Sequence, residues 1–124
     1  MRVPVPTNQA ASAHVLTKAF MRAIRALRLS NAMAARIIGV SPSKISRLGS
    51  TAEIRPDTKE GELALLFLRM FRSLETLFGG NREQAQSWFR AQNGHVGGVP
   101  AELVRTPEGL VNVIRYLDAM RGQA

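Results

Sequence analysis

The stretch SNAMAARIIGVSPSKISRL, Ser30 to Leu48, carries two helix starts separated by one glycine stop. Ser30 is suited to cap a short helix whose Ala34, Ala35 and Ile38 face inward, and Gly39 ends that helix where a positive φ costs least. Ser41 offers the next N-cap, and Pro42 fills the first helical position, where a missing N–H breaks no helical bond. Two helices joined this closely cross steeply, so the first needs a small side chain where the second passes over it. Ala35 supplies that. With Val40, Ile45 and Leu48 as further inward positions, the spacing is that of a helix-turn-helix.

On this reading the second helix, Pro42 to Leu48, is the one offered to a major groove, with Ser43, Lys44, Ser46 and Arg47 on its outward side. Arg47 is the expected base reader, since a guanidinium pairs bidentately with guanine, and Lys44 suits either base or phosphate. Upstream, Leu16, Phe20, Ala23, Ile24 and Leu27 recur at helical spacing from Val15, with Lys18, Arg22, Arg25 and Arg28 on the opposite side. Arg22, Arg25, Ser30 and Arg36 are the expected backbone-positioning contacts.

Charge supports this assignment. Of a net +8, residues 1–60 hold +7, from ten Lys and Arg against Glu53, Asp57 and Glu60, while residues 61–124 hold +1. A positive field gathered in one half favours a polyanion there, because neutralised phosphates release their counterions, and it leaves the other half to a different task. The 124 residues suit one domain or two very small ones, with 45% hydrophobic and 6% aromatic residues and no cysteine. Disulfides, thiolate metal sites and cysteine nucleophiles are thereby excluded, and a reducing compartment fits. The leading MRVPVPTNQAAS has no apolar run of signal-peptide length, and no stretch approaches the apolar length of a membrane span, so a soluble, cytoplasmic chain is expected.

GSTAEIRPDTKEGE, Gly49 to Glu62, has Ile54 as its one large apolar residue and reads as a connector, with a boundary near residue 60. The next helix presents Leu63, Leu66, Phe67, Met70, Phe71, Leu74, Leu77 and Phe78 as one broad stripe, and Gly79-Gly80 ends it. Leu65 and Leu68 lie on its other side among Arg72 and Thr76, which predicts that a partner or a neighbouring domain covers that second face. Asn81 is placed to cap a helix with Ala85, Trp88 and Phe89 inward, stopped by Asn93 and Gly94. Pro100 opens a short helix through Leu103. Thr106 then caps a last one, with Pro107 and Glu108 in its first turn and Leu110, Val113, Ile114 and Leu117 buried. Arg115, Asp118 and Arg121 are expected outward, near a chain end free to reach elsewhere.

Gly94, Gly97 and Gly98 invite comparison with a phosphate cradle. They follow a helix rather than a strand, lack the Gly-Lys-Ser/Thr ending, and have no βαβ setting, so they read as turn residues. No catalytic set is found: His14 and His95 lie in different halves, no carboxylate pair has a recognisable spacing, and no three metal ligands cluster. The expectation is no enzyme, no metal, no cofactor and no small-molecule substrate.

LSNAMAARIIGVSPSKISRL, followed by LFLRMFRSLETLFGG, AQSWFRAQN and GGVPAELVRTPEGLVNVIRYLDAM, resembles the Xre/MbcA/ParS group of bacterial antitoxins over roughly residues 15–122. Gly79-Gly80, Trp88, Asn93, Gly97-Gly98, Pro100, Leu103, Thr106, Gly109 and Leu117 form the distinctive series. The resemblance implies an all-α chain with a flexible arm over 1–14, an Xre-like helix-turn-helix domain and connector over 15–60, and a helical toxin-binding domain over 61–124. It implies a cognate RES-domain toxin that consumes NAD, blocked at its active-site cleft, with the NAD chemistry belonging to that partner. It further implies repression of the chain's own operon through operator DNA, by a homodimer with no membrane association. The blocking role falls on Arg115, Asp118, Arg121 and Gly122, joined by Arg105. The competing reading is a stand-alone regulator whose C-terminal half dimerises or senses a ligand.

Overall fold

The computed structural model describes residues 8–122, and within them the chain folds into seven helices with no strand. They are α1 (Asn8–Ala26), α2 (Asn31–Ile38), α3 (Pro42–Arg47), α4 (Lys59–Leu77), α5 (Arg82–Arg90), α6 (Pro100–Leu103) and α7 (Pro107–Gly122). Of the arm expected before Val15, residues 8–14 are the opening turns of α1, because Ala13 is buried and carries the apolar face further back than Leu16. Residues 1–7 of that arm lie outside the described residues.

The punctuation of α2 and α3 follows from four residues. The Ser30 hydroxyl accepts from the Met33 N–H at 3.1 Å, and the Ser41 hydroxyl accepts from the Lys44 N–H at the same distance. Gly39 turns left-handed with φ 72°, and its N–H reaches the Ala35 carbonyl. Pro42 occupies the first turn of α3. Ala35, Ile45 and Leu48 are buried where the two helices meet, and so is Ile37.

The expected connector is built into the core. Ile54 is fully buried, its N–H donates to the Thr17 hydroxyl at 2.8 Å, and that hydroxyl donates in turn to the Ala13 carbonyl at 2.7 Å. Thr17, itself buried, thus anchors the connector to α1. Helix α4 begins inside the segment read as connector, with Thr58 as its N-cap accepting from the Gly61 N–H.

Two helix starts share one local design. Thr58-Lys59-Glu60-Gly61 opens α4 and Thr106-Pro107-Glu108-Gly109 opens α7; in each the threonine hydroxyl accepts from the glycine N–H at 3.1 Å. A Cβ at Gly61 would lie 1.9 Å from the Arg55 carbonyl oxygen, and one at Gly109 would lie 1.9 Å from that of Leu103. Glycine is therefore required at both sites so that the incoming backbone can cross each helix at its first turn.

Helix α4 is the axis of the molecule, packing on α1, α2 and α7. Phe20 of α1 meets Phe67 of α4 edge to face, with centroids 5.6 Å apart. One apolar cluster runs from Leu16 through Ile38, Phe67, Met70 and Leu74 to Leu117, so both halves of the sequence share a core. A second tie closes the far side. Helix α5 supplies donors to the carbonyls at and just beyond the end of α1: Gln86 Nε2 reaches the Ala26 carbonyl at 2.7 Å, while an Arg90 Nη donates to Leu27 at 3.2 Å and also to Arg28. Arg28 has φ 55°, the left-handed turn that presents its carbonyl at this end.

Candidate functional site

The residues read as a nucleic-acid face divide by what their polar atoms do. Arg22 and Arg25 on α1 and Arg36 on α2 are exposed, and their side chains make no hydrogen bond or ion pair among the described residues, so their full charge is open to another molecule. On α3, Ser43 is exposed, and Arg47 donates Nε to the Ser43 carbonyl at 3.4 Å, leaving its terminal nitrogens outward. Ser30 and Ser46 are engaged locally. Ser30 caps α2, and the Ser46 hydroxyl reaches the Ser43 and Pro42 carbonyls at 3.0 and 3.2 Å.

Lys44 is held from behind. Its Nζ lies 3.2 Å from Glu60 Oε1 at the second position of α4, with both side chains mostly covered. The Glu60 carboxyl is held below its ordinary value chiefly by a backbone N–H at the helix start; burial pushes it up, and Lys44 lowers it again through a hydrogen bond and its charge. This pair stakes α3 to α4, so Lys44 works against a protein carboxylate as well as toward any groove.

The second set gathers along α4 and α7. Asp118 does not reach outward. Its Oδ2 takes an Arg69 Nη at 2.7 Å, and its Oδ1 takes the hydroxyl of buried Ser73 at 3.2 Å. Arg121 folds back as well, donating to Ser73 Oγ at 2.9 Å and standing 3.8 Å from Asp118. The expectation of a free end is corrected for these two side chains, because Asp118 and Arg121 follow the buried Leu117 on the flank of α7 that meets α4. Both line a trough of about 1000 Å³ between the two helices, together with Gly122 and with Arg69, Arg72 and Ser73, which the sequence pattern does not single out as site residues. The sequence signal for these three was their helical spacing beside Leu65 and Leu68.

Arg115 and Arg105 stand apart from the trough. Arg115 is exposed, whereas Arg105, in the turn between α6 and α7, is half-buried with its Nε covered and unbonded. Next to Arg115 in sequence, Tyr116 stacks on Trp88 at 6.1 Å and on His95 at 6.0 Å, which fixes the glycine turn against α7. Asn93 steadies the same turn, accepting from the His95 N–H with its side chain while its own N–H pairs with the Gly98 carbonyl. Gly97 and Gly98 have positive φ, as turn residues should.

A pair of short helices joined by a tight glycine turn, with free cations beside it and one long helix linking it to further helices, defines a DNA-binding helix-turn-helix module fused to a second binding module. Family models match both parts in that order: the antitoxin Xre-like helix-turn-helix domain over residues 6–69, and the antitoxin Xre/MbcA/ParS C-terminal toxin-binding domain over residues 73–122. The chain belongs to the Xre-like helix-turn-helix antitoxins and carries their C-terminal toxin-binding domain. These are binding proteins rather than enzymes, with a toxin as one partner and DNA as the other. No curated protein is similar enough to count as a relative. No helix among the described residues is long and apolar enough to cross a membrane.

Proposed function

We propose that this antitoxin neutralises a RES-domain, NAD-consuming toxin in the cytoplasm by occluding its active-site cleft, and that as a homodimer it represses its own operon. The toxin-binding family match over residues 73–122 carries the reading. The occluding group is the end of α7: Arg115 projects freely, Arg121 and Gly122 rim the trough, and Asp118 holds Arg121 in place, with Arg105 at the other end of the helix. DNA is gripped by residues within 15–60, where Arg22, Arg25 and Arg36 meet phosphates, Ser30 fixes the start of α2, and Arg47 reads a base beside Ser43, Lys44 and Ser46. The toxin is engaged from within 61–124.

Co-expression with a RES-domain toxin encoded beside this gene tests the proposal. Growth should be rescued and the two chains should elute together on gel filtration. A toxin left active in the presence of well-expressed, folded antitoxin sinks the RES assignment.

A further inference from the structure

Leu65 and Leu68 were expected to be covered by something. Leu68 is, but Leu65 remains 51% exposed, and on α1 Val15 is 65% exposed. These are the two large hydrophobic side chains left open among the described residues, and both line one hollow between α1 and α4. That hollow shares Leu65, Leu68 and Arg72 with the larger trough between α4 and α7. The open apolar surface is therefore one continuous strip rather than a scatter, and a contiguous strip of this kind marks an interaction site.

Its charge selects the occupant. Arg69, Arg72 and Arg121 border the larger trough against Asp118 alone, a net excess of two positive charges. Both Asp118 oxygens already accept hydrogen bonds from within the chain, while Arg72 makes no side-chain bond among the described residues. A second copy fits poorly, since a two-fold pairing would set the same positive patch against itself. Duplex phosphates would leave the Val15 and Leu65 side chains in water.

Building on the toxin-binding reading above, we infer that this strip seats an acidic segment of the toxin, one that buries an apolar side chain over Leu65 and sets a carboxylate against Arg72. It is a second contact that adjoins the end of α7, whose Arg121 and Gly122 rim the same trough, and it extends from there over Leu65 to Val15. The strip supplies affinity and the α7 end supplies inhibition.

The test uses the full chain carrying Leu65→Ser or Arg72→Gln, both on the surface, titrated with the adjacent-gene toxin at low and high salt. Leu65→Ser is expected to weaken binding about tenfold at either salt, as loss of an apolar anchor does. Arg72→Gln should weaken it about tenfold at low salt and much less at high salt, because its contribution is electrostatic. Operator binding and the mass of the antitoxin alone should not change. Toxin binding by both variants at the unaltered strength overturns the strip while leaving the antitoxin reading intact. A fall in the oligomeric mass of either variant assigns the strip to a second copy and overturns it. If the unaltered chain fails to bind the toxin, the toxin reading falls and the strip falls with it.

Discussion

The arginines on the outer side of the first two helices and three of those in the rear half are used in opposite ways. The side chains of Arg22, Arg25 and Arg36 have no partner among the described residues, whereas Arg69 and Arg121 donate across α4 and α7 and Arg90 donates to the turn that follows α1. In front, the charge is left for a different molecule; behind, it pins helices together. The sum of charge over each half does not reveal this, because what decides it is where acceptors lie. Several residues cross the pattern: Lys44 and Arg55 are front cations held by Glu60 and Asp57, and Arg72, Arg82 and Arg115 are rear cations whose side chains have no partner among the described residues.

The largest effect should come from breaking what the halves share. Gly61→Ala drives a methyl group into the Arg55 carbonyl at the first turn of α4. It is expected to cost about 3 kcal/mol, with urea unfolding still showing one transition for the whole chain. Two separated transitions would show that the front and rear fold apart. At the nucleic-acid face, Arg47→Ala should reduce discrimination between operator and random duplex by about 1–3 kcal/mol in competition binding. Unchanged discrimination would remove α3 from the groove.

Smaller effects sharpen the contrast between free and engaged cations. Arg90→Ala uncaps the end of α1 and should lower stability by about 1–2 kcal/mol without altering the salt dependence of DNA binding. Arg22→Ala should do the reverse, leaving the unfolding midpoint in place while lowering the salt slope of DNA binding by about 1. The smallest effect is expected at Glu60→Gln, about 1 kcal/mol or less. Because the folded carboxyl sits below its ordinary value of 4.5, the stability it adds is present above that pH and is lost as pH falls through the folded value. The Gln variant should therefore show a shallower loss of stability below about pH 4.5 in acid titration.

Features fixed by neighbours in the sequence were legible from it. Ser30, Gly39, Ser41, Pro42, Asn81 and Pro100 punctuate the helices where their chemistry places them, and the inward stripes of α1 and α7 are buried as spaced. Features made by distant partners were not. A lone Ile54 in a polar stretch has no period, so nothing local marks it as core. Gln86 and Arg90 meet carbonyls some sixty residues earlier, and no pattern within α5 announces that. Asp118 and Arg121 flank the buried stripe of α7, and only the position of α4 decides that they turn inward.

The two family matches meet at residues 69 and 73, in the middle of α4. Evolution and engineering face the same obstacle there. A chimera spliced at that seam would take the first turns of α4 from one parent and its last turns from the other, although α1, α2 and α7 all pack on that one helix. Recombination that preserves folding must carry α4 whole, with α5 matched to the α1 it caps, so a change of operator and a change of toxin are not freely separable in this chain.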